Sequence, residues 1–190
     1  MIKTDNVLDA KGLSCPMPIV RTKKAMNDLL PGQVIEIQAT DKGSTADLKA
    51  WAESSGHHYL GTVEDGEVLK HYLRKASNEE EKQESKHPHV ISNADLQRKL
   101  NANEKVIVID VREQAEYAFN HIPNAISIPM GELESRLNEL NKDDELYMIC
   151  RTGNRSDLAA QKLAEKGFTN VTNVIPGMSQ WEDETERLNG

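Results

Sequence analysis

Leu146-Tyr147-Met148-Ile149-Cys150-Arg151-Thr152-Gly153-Asn154-Arg155-Ser156 is an apolar run that ends in a cysteine, passes through a polar loop and enters a helical pattern from Asp157 to Lys166. Such a run before a glycine-containing loop and a helix reads as a buried strand, a tight turn and a helix N-terminus. At that junction the first-turn amides lack helical partners and the helix dipole presents its positive end, so an anion is favoured. A thiolate or a persulfide is such an anion. Arg151 and Arg155 add positive charge in the same loop, the setting that activates a cysteine. A lone cysteine at a strand end is otherwise a small buried hydrophobe. The glycine and the two arginines make Cys150 the candidate nucleophile.

Working outward from this loop, Ser92 precedes a helical pattern from Asn93 to Leu100, and Val106-Ile107-Val108-Ile109 reads as a buried parallel strand. Further strands are expected at Ala125 to Ile128 and Val171 to Ile175, with helices around Glu132 to Leu140 and after Pro176-Gly177-Met178 near Trp181. Together with Asp110-Val111-Arg112-Glu113, Glu116-Tyr117 and His121-Ile122-Pro123-Asn124-Ala125, this segment resembles the rhodanese family over about residues 90–190. The resemblance implies an α/β domain with a parallel sheet, a catalytic Cys150, and a substrate-binding loop of Arg151, Thr152, Gly153, Asn154 and Arg155. It also implies that Asp110 and Arg112 support the floor of the site. Asn120 and Asn124 stand where the family commonly has glycines, and asparagine is the next best residue for left-handed backbone. The fold is shared with a phosphatase family whose loop closes with arginine six positions after the cysteine. Here position 156 is Ser and the closing arginine is Arg155, the shorter loop that resembles sulfurtransferases.

The front of the chain has a different pattern. Asn6 to Ala10 is a strand candidate, followed by a turn at Gly12 and by Leu13-Ser14-Cys15-Pro16-Met17-Pro18. Ile19, Ala25, Met26, Leu29 and Leu30 form a helical stripe that stops before Pro31-Gly32, so Cys15 is expected to cap this helix. Pro16 and Pro18 remove two amides that could have gripped its sulfur, which predicts a looser hold than at Cys150. Gln33 to Ala39 alternates as a strand, Thr45 to Ser55 reads as a helix ended by Gly56, and His58 to Val63 and Glu67 to Leu73 form a hairpin about Glu64-Asp65-Gly66. The order βαβαββ gives an α/β two-layer sandwich. With its Cys-Pro-x-Pro motif at Cys15, and Asp41, Trp51 and Gly56, the segment resembles the TusA (SirA-like) sulfur carriers. That resemblance implies that Cys15 accepts sulfane sulfur as a persulfide and passes it to a protein partner. Arg21, Lys23 and Lys24 lie behind Cys15, either as a solvated face or as a surface that steers an acidic partner.

The 190 residues carry a net charge of −8, with residues 1–76 neutral and residues 91–190 acidic, which argues against direct nucleic-acid binding. Two distant cysteines make no disulfide framework, and nothing resembles a signal peptide or a membrane span, so a cytoplasmic protein with reduced thiols is expected. The expected division is a TusA-like domain at 1–76, an acidic linker at 77–90 and a rhodanese-like domain at 91–190. A coil of that length spans about 20 Å and tethers the domains at an effective concentration in roughly the mM range. His57, His58, His87 and His89 have no cysteine or carboxylate partners at ligand spacing, so no metal or cofactor is expected.

The function expected from these readings is that of a sulfurtransferase. Sulfur from a small donor, thiosulfate or a persulfide, would enter on Cys150 and pass through Cys15 to a small thiol or an acceptor protein. The alternative is a relay that another enzyme loads and that uses both domains for docking without turnover.

Overall fold

The structure is a computed structural model that describes residues 1–77 and 86–188. The chain forms two compact units that meet in sequence after Ser77. Most of the expected linker, residues 78–85, lies outside the described residues.

The first unit runs β1 (Asn6–Ala10), α1 (Met17–Asp28), β2 (Val34–Ala39), α2 (Ser44–Ser55), β3 (His58–Asp65) and β4 (Val68–Arg74). Its sheet has the order β1-β2-β4-β3, with β1 parallel to β2 and the other pairs antiparallel. Alternation along β2 sends Ile35 and Ile37 into a core with Met26, Leu29, Leu48, Ala52 and Leu73. In α1 the buried residues are Pro18, Thr22 and Met26, one every four positions, whereas Leu30 lies past the helix end and is exposed. Lys75 closes that end by donating through Nζ to the carbonyls of Met26 and Leu29 at 2.8 and 2.6 Å.

The second unit contains β5 (Val90–Ser92), α3 (Asn93–Asn101), β6 (Ile107–Asp110), α4 (Gln114–Phe119), β7 (Ile126–Ser127), β8 (Leu146–Ile149), α5 (Asn154–Glu165) and β9 (Val171–Ile175). All five strands are parallel in the order β5-β9-β8-β6-β7. Leu146, Met148 and Cys150 pack with Ala159, Ala160 and Leu163 of α5 on one face. Tyr147 and Ile149 pack with Leu96 of α3 on the other. Cys150 therefore leaves the carboxyl end of a central strand, the edge at which open α/β sheets bind ligands.

Four expectations are corrected. Two 3-10 segments, Met130–Glu132 and Glu134–Glu139, replace the helix expected over 132–140. A single 3-10 turn, Met178–Gln180, replaces the final helix, and the chain beyond it pairs Glu186 with His121 instead. Residues 86–90 are not linker: the Lys86 and His87 amides donate to the Asp157 carboxylate of α5, and buried His87 meets the Val171 carbonyl through Nε2. Of the two asparagines at glycine-like positions, Asn124 is left-handed with φ 64°, but Asn120 is extended with φ −164°.

What positions the Cys150 loop is the exit from β9. The Met178 and Ser179 amides donate to the Cys150 and Arg151 carbonyls at 2.8 and 2.9 Å. Asn173 Nδ2 donates to the Gly153 carbonyl at 3.1 Å. Asn93 grips Gly177 from both sides, accepting its amide at 3.1 Å and donating to its carbonyl at 2.9 Å. Gly177 has φ 95°, and a Cβ there would sit 2.4 Å from the Cys150 carbonyl oxygen. No side chain can occupy that space without opening the clasp.

In the first unit, fully buried His71 of β4 connects strand to helix. Ser44 Oγ donates to the Asp41 carbonyl at 2.6 Å, so its oxygen accepts from His71 Nε2 at 2.8 Å. The opposite ring nitrogen then accepts from the Tyr59 hydroxyl at 2.8 Å. Burial pushes His71 down from 6.5 to about 4, so the ring is neutral at pH 7.

Two outcomes are expected. Gly177→Ala should cost at least about 2 kcal/mol, read as a fall of roughly 10 °C in the melting temperature of the second unit. Between pH 6.5 and 4 the unfolded chain binds a proton that folded His71 does not, so stability should fall by about 3 kcal/mol in total across that window and be unaffected by this group above it. Urea midpoints followed by Trp51 fluorescence in a Trp181→Phe background test this, and His71→Gln should flatten the acid-side loss.

Candidate functional site

Each unit holds one cysteine at the start of a helix, and the two settings differ. Cys150 is buried, one residue beyond β8. Two donors point at its sulfur: the Gly153 amide at 3.1 Å and the Ser156 hydroxyl at 3.2 Å. Gly153 is the N-cap of α5 with φ 95°, and a Cβ there would come within 2.8 Å of Ile175 Cγ2. The left-handed turn aims its amide back at the strand end. Asn154, Arg155 and Ser156 follow as the first three helical residues, whose amides have no intrahelical carbonyl to bond. With the carbonyls of Cys150, Arg151 and Gly153 held from outside, the loop turns the Gly153 amide and the positive end of α5 toward the sulfur.

Arg151, Thr152, Asn154 and Arg155 are half-buried around the mouth of the loop. The Arg155 guanidinium forms a two-pronged ion pair with buried Glu116, at 2.8 and 3.0 Å. The Glu116 carboxylate also accepts the Glu113 amide at 2.9 Å, completing a capping box at the start of α4. Arg155 thus ties the loop to α4, and its charge is compensated there. Beneath it, Arg112 clasps Asp110 through Nε and Nη2 at 2.9 and 2.6 Å and donates to the Asn120 carbonyl at 2.6 Å. This second buried pair ties the end of β6 to the end of α4.

Cys15 lies in the other unit and is exposed. It does not cap α1 as expected: the helix begins at Met17 with Pro16 at the cap position, and the Met17 amide is taken by the Ser14 carbonyl at 2.9 Å. Pro16 and Pro18 supply no amides, so the helix start offers the sulfur little. The nearby charge is negative. Asp41 Oδ2 accepts the Cys15 amide at 3.3 Å, and Asp41 and Asp47 both approach Gly43. The Asp47 carboxylate, hydrogen-bonded to the thiol, pushes Cys15 above the ordinary thiol value, with smaller contributions from desolvation and from the charges of Asp47 and Asp41. The pattern that identified the two cysteines did not disclose Ser156, Glu116, Asn93, Asn173 or Asp47. Ser156 and Asp47 could have been found from their places in the first turns of α5 and α2; the others meet the site only through tertiary structure.

Among the described residues no helix is long and apolar enough to cross a membrane. No group of three or more His, Cys, Asp or Glu among them could hold a metal ion.

The rhodanese-like domain model matches residues 92–184, and the sulfurtransferase TusA model matches residues 6–75. The chain is 52% identical over 186 residues to the candidate sulfur carrier protein YrkF of Bacillus subtilis, covering 98% of this chain and all of that one. The sulfur carrier protein TusA of Allochromatium vinosum is 43% identical over 77 residues, 40% of this chain and all of its own. A crystal structure of a rhodanese-like domain protein from Staphylococcus aureus is 36% identical with a TM-score of 0.50, covering 52% of this chain and 97% of that one. Full-length similarity and both domain matches lead to one conclusion: the chain belongs to the sulfur-carrier and sulfurtransferase family that joins a TusA domain to a rhodanese-like domain.

Proposed function

We propose that sulfane sulfur enters this protein on Cys150 and leaves it through Cys15. The observation that carries this reading is the contrast between the two sulfurs. Cys150 is buried under two hydrogen-bond donors at a helix start, whereas Cys15 is exposed, lacks the amides of two prolines and faces two carboxylates. A cradle of donors suits capture of an anionic donor, thiosulfate or a persulfide. An exposed sulfur among carboxylates suits release.

The Cys150 thiolate attacks the outer sulfur of the donor, the S–S bond breaks, and the donor leaves with the electron pair, as sulfite when the donor is thiosulfate. Arg151 supplies positive charge at the loop mouth. The Gly153 amide holds Sγ, and Thr152, Asn154 and Arg155 contribute backbone amides to the outer sulfur, while the Arg155 side chain keeps the loop closed through Glu116. Cys15 then attacks that outer sulfur, and its proton passes to the Asp47 carboxylate beside it. Once Asp47 has passed that proton to water, the resulting persulfide sits next to two carboxylates, Asp41 and Asp47, whose charge disfavours retention of an anion and also repels dianionic donors from Cys15. Exposed Met17 and Val20, 44% and 53% accessible, lie on the first turn of α1 after Cys15, and exposed Arg21, Lys23 and Lys24 follow along the same helix. Apolar contact with a basic rim fits a protein acceptor that presents a cysteine in an acidic surface.

Intact mass after brief incubation with thiosulfate tests the order. The unsubstituted chain should gain sulfur, Cys15→Ser should still load, and Cys150→Ser should gain none. Uptake by Cys150→Ser would reverse the assigned direction of flow. Turnover with thiosulfate and cyanide supports the enzyme, and exchange of a supplied persulfide without turnover supports a passive relay.

A further inference from the structure

The two donors on Cys150 are not equivalent to the rest of the loop. The Gly153 amide and the Ser156 hydroxyl both contact Sγ itself, the inner sulfur of any persulfide formed there. Ser156 lies in the first turn of α5, is fully buried, and spends its hydroxyl on that sulfur. A serine in a helix interior more commonly returns its hydroxyl to a backbone carbonyl of the preceding turn. Alanine there would favour the helix and remove a buried polar group. Nothing in the packing of α5 calls for the hydroxyl; its direction toward Sγ does.

We infer that Ser156 is a catalytic residue of the release step, donating to Cys150 Sγ as it becomes the leaving thiolate. This rests on the reading that Cys150 carries the sulfur. In release, an acceptor thiolate R–S⁻ attacks the outer sulfur of Cys150–S–SH. A new R–S bond to that sulfur forms, the Cys150 S–S bond breaks, and its electron pair goes to Sγ. The products are R–S–SH and the Cys150 thiolate, so atoms and charge balance with no further reactant. Negative charge grows on Sγ throughout, and a hydrogen bond to it strengthens as the charge grows. The Ser156 hydroxyl is already aimed there, so the step needs no reorganisation. Capture runs the other way: the same bond stabilises the attacking thiolate, which raises its population and lowers its nucleophilicity, so the two effects partly cancel. Ser156 should therefore matter more for release than for loading. The charged groups around the loop are Arg151, the Arg155–Glu116 pair, the Asp110–Arg112 pair and, next to Ser156 in α5, buried Asp157, whose carboxylate is taken by the Lys86 and His87 amides; Ser156→Ala leaves all of them in place.

The test uses the full chain with Cys15→Ser, which leaves Cys150 as its one thiol. After loading with thiosulfate, single-turnover release to cyanide and to a small thiol is followed with and without Ser156→Ala. Release should slow about tenfold, the worth of one hydrogen bond to a charged group, while loading changes less than threefold. Iodoacetamide labelling of the unloaded chain supplies a readout that needs no donor: the pH midpoint for Cys150 should lie higher in Ser156→Ala. Equal slowing of loading and release, or an unmoved midpoint in a variant of unchanged melting temperature, overturns the assignment. If the parent chain fails to load with thiosulfate, the reading of Cys150 as entry point fails, and the labelling midpoint still decides the role of Ser156.

Discussion

A sulfur atom inside a protein is surrounded by donors only if the backbone that carries those donors has its carbonyls satisfied elsewhere. Buried backbone groups of both kinds need partners. In the loop after β8 the carbonyls of Cys150, Arg151 and Gly153 are taken by Met178, Ser179 and Asn173, which leaves amides to face inward. This traffic requires β9 to lie beside β8 and the chain to turn back immediately after it, at a residue without a side chain. The strand order supplies the first condition and Gly177 the second. Asn93, at the first position of α3, then locks the turn from the adjoining strand β5.

The two cysteines use one structural device, the start of a helix, with opposite electrostatic outcomes. At α5 a left-handed glycine aims its amide, and Ser156 its hydroxyl, at the sulfur. At α1 two prolines delete amides, and carboxylates from the α2 end of the sheet fill the space instead. The buried His71–Ser44 link fixes the Asp41 backbone on the acidic side of Cys15. The two sulfurs thereby stand in opposite electrostatic settings in separate units.

Strands and helices with clear periodicity were legible in the sequence: β1, β9 and α2 lie within one residue of where alternation, apolar runs or a glycine stop predict them, and α5 starts three residues before its predicted first residue. The misreadings share a cause. Leu133, Leu137 and Leu140 recur at helical spacing but pack through 3-10 segments, because contact with the sheet decides the geometry and spacing alone does not. His87 sits in a polar stretch that reads as solvated, yet the Asp157 carboxylate and the Val171 carbonyl, both distant in sequence, bury it. The cysteines, glycines and arginines of the site announced themselves through local pattern. Glu116 stands 39 positions from Arg155, and no local pattern encodes their pairing.

That pairing bears on what the loop can hold. A half-buried guanidinium already joined to a buried carboxylate by two hydrogen bonds brings little net charge to a ligand, and breaking such a pair leaves a costly isolated charge. Arg155 therefore acts as a strut between α5 and α4. The positive potential left at the loop mouth comes from the helix amides, the dipole and Arg151. Amides at fixed positions stabilise a compact, singly charged sulfur at short range, whereas a phosphate dianion calls for a forked cation across several oxygens. The short loop and the compensated arginine point the same way, and together they argue that this rhodanese-like fold is tuned to sulfur.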